Sequence, residues 1–192
     1  MNESTPLKKD RFTDKGNTKA SKKTEWLKLT DIVLTTLFTI LFIVQIINMF
    51  LFSNELGFTP LVFLGYIFWA VSIYLGFIPF FIFKRKGGVK KGDSYVKTTK
   101  VVDEGPYSII RHPQYLAGVF FTISITLWTQ TLFSFIITVL LILLTYQWTY
   151  REEQTLVQRF GNEYKAYQKR VARLNPIYGI YKYFTRKKKE DV

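Results

Sequence analysis

The sequence predicts an all-α integral membrane protein with about four transmembrane helices, a long cytoplasmic loop and a C-terminal amphipathic helix. Three observations carry this reading. Charged residues are absent from Ile32–Asn54, Leu56–Phe83 and Gln114–Tyr150, and about 20 apolar residues rising roughly 1.5 Å each cross a hydrocarbon core near 30 Å. The third run has 37 residues, too long for one crossing, and its most polar point, Trp128-Thr129-Gln130-Thr131, splits it into a hairpin. Finally, all 27 Lys+Arg fall within 1–29, 84–113 and 151–192, and the connections near 53–58 and 128–132 hold none. Basic loops stay on the cytoplasmic side, so both termini and the central loop are predicted to face the cytoplasm.

Residues 1–29 are rich in Lys, Thr, Ser and Asn and read as a disordered basic tail, with no short apolar region of the kind a signal peptide needs. A membrane domain follows over 30–178. Its spans are expected at about 31–52, 59–83, 114–129 and 132–150. Pro79 removes a backbone donor near the end of span two and predicts a kink or a helix end. Lys84-Arg85-Lys86-Gly87-Gly88 is a stop signal, with cations in the last turn and glycine beyond.

The loop 84–113 is long for so small a chain, and long ordered loops tend to carry function. It contains a β-prone stretch, Thr98–Val102, and a turn at Asp103-Glu104-Gly105-Pro106. Pro113 then suits the first turn of span three, where its missing N–H costs nothing. Beyond Tyr150, Leu156, Val157, Phe160, Tyr164, Tyr167 and Val171 share one helical face. An amphipathic helix is expected over 151–172, with Gly161 able to divide it. Residues 179–192 end in a charge run and read as a solvated basic tail near anionic lipid.

Composition excludes several chemistries. The chain has no Cys and one His, which removes disulfides, thiolate metal sites, cysteine nucleophiles and multi-His metal centres; no metal is expected. The net charge of +13 is topological and lipid-facing, not one stripe on a soluble fold, so nucleic acid is not an expected partner.

Chemistry-bearing residues gather at the cytoplasmic ends of the spans. Arg111 and His112 each have a bland reading, a snorkelling cation and an interfacial imidazole. Glu152 and Glu153 are less easily dismissed, because a helix C-terminus favours cations and not acids. Spans three and four form an antiparallel hairpin, so His112-Pro113 and Glu152-Glu153 should share one pocket. A helix N-terminus attracts a carboxylate, and an acid nearby attracts an ammonium or sulfonium. S-adenosylmethionine carries both groups, as do other zwitterions.

These residues resemble a known family. Gly105-Pro106-Tyr107, Arg111-His112-Pro113-Gln114-Tyr115 with Gly118, Glu152-Glu153, and Phe160-Gly161-Asn162-Glu163-Tyr164 with Tyr167, Val171, Arg173 and Pro176 are similar to isoprenylcysteine carboxyl methyltransferases. The related phospholipid methyltransferases share the general plan. The resemblance covers about 97–178 and implies a membrane-embedded, S-adenosylmethionine-dependent methyltransferase acting on a lipid or isoprenoid acceptor. It implies cofactor contacts at Thr99, Lys100, Val101, Val102, Tyr107, His112, Pro113, Gln114, Tyr115 and Glu152. Trp148 stands where the family has a substrate-contacting arginine, which weakens a prenylcysteine assignment. Arg151 or Arg111 can position a carboxylate acceptor instead. For an amine acceptor, His112, Glu153 or a tyrosine is a candidate base. Two other readings compete: a sterol-type reductase using a nicotinamide cofactor, which shares the Arg-His-Pro motif, and a non-enzymatic lipid-binding scaffold.

Overall fold

A computed structural model describes residues 11–86 and 99–190, with side chains over 29–85 and 99–189. It is all-helical among the described residues. Six helices run in order: α1 (Arg11–Leu51), α2 (Thr59–Lys86), α3 (Pro113–Thr129), α4 (Leu132–Phe160), α5 (Asn162–Arg170) and α6 (Pro176–Glu190), with a 3-10 turn at Gly105–Ser108. The segment 87–98, which includes Thr98 of the β-prone stretch, lies outside the described residues. Thr99 and Lys100 form a bend, and Val101 and Val102 have no regular secondary structure. Among the described residues, the β-type pairing is a single parallel bridge between Ile110 and Ala172.

The chain forms two compact units, up to Ile40 and from Leu41 onward. In the first, α1 begins at Arg11, inside the segment read as a disordered tail. Extending a formed helix fixes one residue per hydrogen bond, so propagation from an apolar nucleus needs little intrinsic propensity. The Thr35 and Thr39 hydroxyls donate to the carbonyls of Asp31 and Thr35, four residues back, and so bury no unpaired donor in the apolar run.

In the second unit, α2 packs along α3, α3 against α4, and α4 turns into α5. Among the described residues, three helical stretches are long and apolar enough to cross a membrane: Leu29–Leu51, Thr59–Arg85 and Leu132–Phe160. Helix α3 has 17 residues, at the short end of what spans a bilayer. Large apolar side chains on the outer faces, such as Phe63, Phe77 and Leu143, are exposed, as lipid-facing surfaces are. Pro79 is buried inside α2, which runs on to Lys86 and does not end there.

The connections are set by local chemistry. Helix α3 closes on Gln130 in the left-handed region at φ 55°, and the Thr131 hydroxyl caps α4 by accepting from the Ser134 amide. This is where the polar point of the 37-residue run predicted the hairpin tip. Gln130 also clasps Phe58, accepting from its amide at 3.2 Å and donating to its carbonyl at 3.0 Å. The Asn54 amide donates to the Trp128 carbonyl at 2.7 Å, so the α1–α2 and α3–α4 connections meet. At the other end, Gly161 at φ 57° separates α4 from α5, as a residue without Cβ can at low cost. Helix α6, Pro176–Glu190, takes in most of 179–192, read as a solvated tail.

Candidate functional site

The site is built where α3 begins and α4 passes beside it, joined by the segment after α5. The Arg111 amide donates to the Ala172 carbonyl at 2.8 Å and the His112 amide to the Arg173 carbonyl at 3.3 Å. Two short extended pieces therefore lie side by side just before α3. The Tyr167 hydroxyl donates to the Tyr107 carbonyl at 2.7 Å, and Tyr107 packs on Phe83 with ring centroids 4.9 Å apart. These contacts hold the loop, α2 and α5 around one end of the α3–α4 hairpin.

The two adjacent acids behave differently. Glu153 is fully buried and accepts from four side chains. Its Oε1 faces Arg111 Nε at 2.7 Å and His112 Nε2 at 3.2 Å. Its Oε2 accepts from Gln168 Nε2 at 3.1 Å, Arg173 Nε at 3.0 Å and Arg173 Nη2 at 2.7 Å. Arg111 also donates from Nη1 to the Gln168 carbonyl at 2.8 Å and to the Val171 carbonyl. A carboxylate accepting charge-assisted bonds from two guanidinium groups stays ionised, with its lone pairs committed. Glu153 thus ties α3, α4, α5 and the 171–173 segment together.

Glu152 points elsewhere. Its Oε2 is buried with no hydrogen-bond partner among the described residues. His112 Nδ1 lies 3.9 Å away, too far for a hydrogen bond. Because Glu153 can only accept, the imidazole proton is assigned to Nε2, and Nδ1 is the ring atom left to accept.

Glu152 and His112 line a cavity of about 580 Å³. Of the residues singled out in the sequence, Lys100, Val101, Val102, Tyr107, Arg111, His112, Pro113, Gln114, Tyr115 and Glu152 line it; Thr99, Arg151 and Glu153 do not. The α3 N-terminus opens into it without a side-chain cap, so the Gln114 and Tyr115 amides have no capping partner. Sequence reasoning did not assign Phe83, Thr155 or Arg159 to the site, nor Leu156, Phe160, Tyr164 and Tyr167 beyond their shared helical face. A signal for Thr155, Leu156 and Arg159 existed: they follow Glu152 at i+3, i+4 and i+7 on one face of α4.

Electrostatics fit a partly apolar chamber. Burial raises the Tyr167 phenol, and burial together with the Glu153 charge raises that of Tyr164, so both remain neutral hydrogen-bond partners. For Arg173, burial disfavours the charge, but the hydrogen bonds and charge of Glu153 outweigh it and raise its pKa. The chamber can therefore hold a molecule with an anionic end at the α3 amides, a cationic group at Glu152 and an aromatic or apolar body against Val102, Leu156 and Phe160.

No curated protein and no solved structure matches the chain. The profile of the phospholipid methyltransferases matches residues 60–163, a stretch that runs from α2 through the loop and the α3–α4 hairpin to the start of α5. It includes His112, Tyr115 and Glu152, the residues that bring the cavity together. The chain belongs to the phospholipid methyltransferase family and is a membrane methyltransferase.

Proposed function

We propose that the chain transfers a methyl group from S-adenosylmethionine to a lipid or isoprenoid-type acceptor at the cytoplasmic face of a membrane. The observation that carries this reading is the pairing of uncapped α3 amides with the buried, unpartnered Glu152 Oε2 in one cavity. An α-amino acid head carries the two complementary charges, and a sulfonium adds a further positive charge. Family membership supports the methyl-transfer chemistry; the donor set supports the cofactor.

S-adenosylmethionine supplies, when bound, an electrophilic methyl group on its sulfonium. The protein's own task is to bind, orient and exclude water. The Gln114 and Tyr115 amides receive the cofactor carboxylate, Glu152 its ammonium, and Val101, Val102, Leu156 and Phe160 pack on its nucleoside. Tyr107, Lys100 and Pro113 complete the wall. His112 Nδ1 accepts a proton if the acceptor is an amine. Glu153, saturated by its four donors, holds Arg111 and His112 in place and is a positioning residue, not the base. Arg111, which also borders the cavity, is the cation that positions an acidic acceptor.

The test is methyl transfer with purified protein in proteoliposomes supplied with a fractionated lipid extract and S-adenosylmethionine labelled on the methyl group. The expected result is label in an organic-phase lipid, lost with Glu152→Gln. Oxidation of a reduced nicotinamide cofactor by the same preparation, with no label transferred, would return the reading to the reductase. Neither activity would leave the scaffold.

A further inference from the structure

A second cavity lies on the other side of Arg111, between α3, α4, the 171–175 segment and α6. It encloses about 680 Å³. Its floor is apolar, formed by Leu116, Val119 and Phe120 of α3 and Ile142 of α4; its roof carries Arg173 and Lys182. Among the described residues, no acidic side chain lines it. Three cations border the cavity, counting Arg111, against the one buried carboxylate behind them, Glu153.

Arg173 is held rigidly there. Its Nε and Nη2 are spent on Glu153, and its guanidinium stacks over Tyr146 and Tyr150 at 5.1 and 5.4 Å from the ring centroids. Its Nη1 edge takes no part in those bonds. A guanidinium fixed by a carboxylate on one edge and aromatic faces below loses little entropy on binding an oxyanion with the other. Lys182 spends one donor on the Lys169 carbonyl at 2.9 Å, and an ammonium has three.

The depth of the roof is marked independently. Tyr146 and Tyr150 are exposed on α4, where interfacial aromatics sit. Helix α6 exposes Ile177, Ile180, Tyr181 and Phe184 at i, i+3, i+4 and i+7, and continues into Lys187, Lys188 and Lys189. That is the pattern of a helix lying in the headgroup plane of an anionic leaflet. Cations at headgroup level above an apolar floor have the shape and charge order of a phospholipid.

We propose that this cavity binds an anionic membrane phospholipid, with its phosphate at Arg173 and Lys182 and its chains along Val119, Phe120 and Ile142. The site shares Arg111 with the chamber at Glu152 and is otherwise lined by different residues.

The experiment follows thermal unfolding of the full chain in a neutral detergent as dihexanoyl-phosphatidylglycerol, dihexanoyl-phosphatidylcholine or glycerol phosphate is added. A ligand bound only by the folded state raises the melting temperature saturably. The expected result is a saturable rise with phosphatidylglycerol, and at most a marginal one with the other two. Lys182→Gln, which removes one charge-assisted bond, should raise the half-saturating concentration about tenfold. Val119→Trp, which fills the floor, should abolish the response while the protein stays monodisperse with a cooperative melt. Should Val119→Trp fail to fold, Lys182→Gln alone decides. An equal rise with phosphatidylcholine, or unchanged phosphatidylglycerol titrations in the variants, overturns the proposal. Glycerol phosphate binding as tightly as the lipid also overturns it, in favour of a soluble phosphate.

Discussion

Two buried polar clusters lie at opposite ends of the α3–α4 hairpin, and they are made differently. At the tip, Gln45 Nε2 donates to Ser134 Oγ at 2.8 Å and Thr138 Oγ1 at 3.1 Å, with longer bonds to the Thr122 carbonyl and Thr126 Oγ1. Every member is neutral. About 22 Å further along α4, at 1.5 Å per residue, Glu153 gathers Arg111, His112, Gln168 and Arg173. Neutral hydroxyls and amides have alternative partners, in helix carbonyls or in each other, so the tip cluster guides packing at modest gain. Buried ions have no substitute partners. The ionic end is therefore brittle, and it is also where chain segments far apart in sequence are fixed to enclose a chamber.

The comparison breaks most sharply at Glu153. Glu153→Ala leaves Arg111 and Arg173 without their carboxylate, and a loss of about 3–5 kcal/mol is expected, read as a much lower melting temperature or failure to purify as a monodisperse species. A loss under about 1 kcal/mol would place Glu153 in the same class as the tip residues. Next comes Gly161→Ala, which forces an L-residue to φ 57° at the α4–α5 turn. The expected cost is about 1–3 kcal/mol, with weaker cofactor binding because Tyr164 and Tyr167 follow that turn. The smallest effect belongs to Gln45→Leu. Its four acceptors retain bonds among Thr126, Ser134 and Thr138, so about 0.6–1.7 kcal/mol should be lost, with cofactor binding unchanged.

Much of this architecture is readable in the chain because charge is so unevenly placed. The gaps in charge locate α2 and the hairpin, and the polarity of Trp128–Thr131 locates the tip that Gln130 closes. Antiparallel neighbours share ends, which is enough to bring His112 and Glu152 to one cavity. What could not be read follows from direction. Glu152 and Glu153 are adjacent, so they point about 100° apart on a helix, and composition does not say which one faces the cavity. Gln45 looks like any single amide in a span until its acceptors on α3 and α4 are in place. The segment 176–190 hides its helix because Tyr and Lys alternate in character between tail and interface. Its apolar stripe of Ile177, Ile180, Tyr181 and Phe184 was available as periodicity, but the Lys run outweighed it.

The central claim is that Glu152, whose Oε2 has no hydrogen-bond partner among the described residues, holds the cationic part of S-adenosylmethionine, while Glu153 only holds the protein together. Calorimetric titration of S-adenosylmethionine into the detergent-purified wild type and Glu152→Gln tests it most directly, with thermal melts recorded for both. The account predicts saturable binding by the wild type, binding weaker by at least about tenfold in Glu152→Gln, and matching melts. Equal affinity in the two proteins would contradict it.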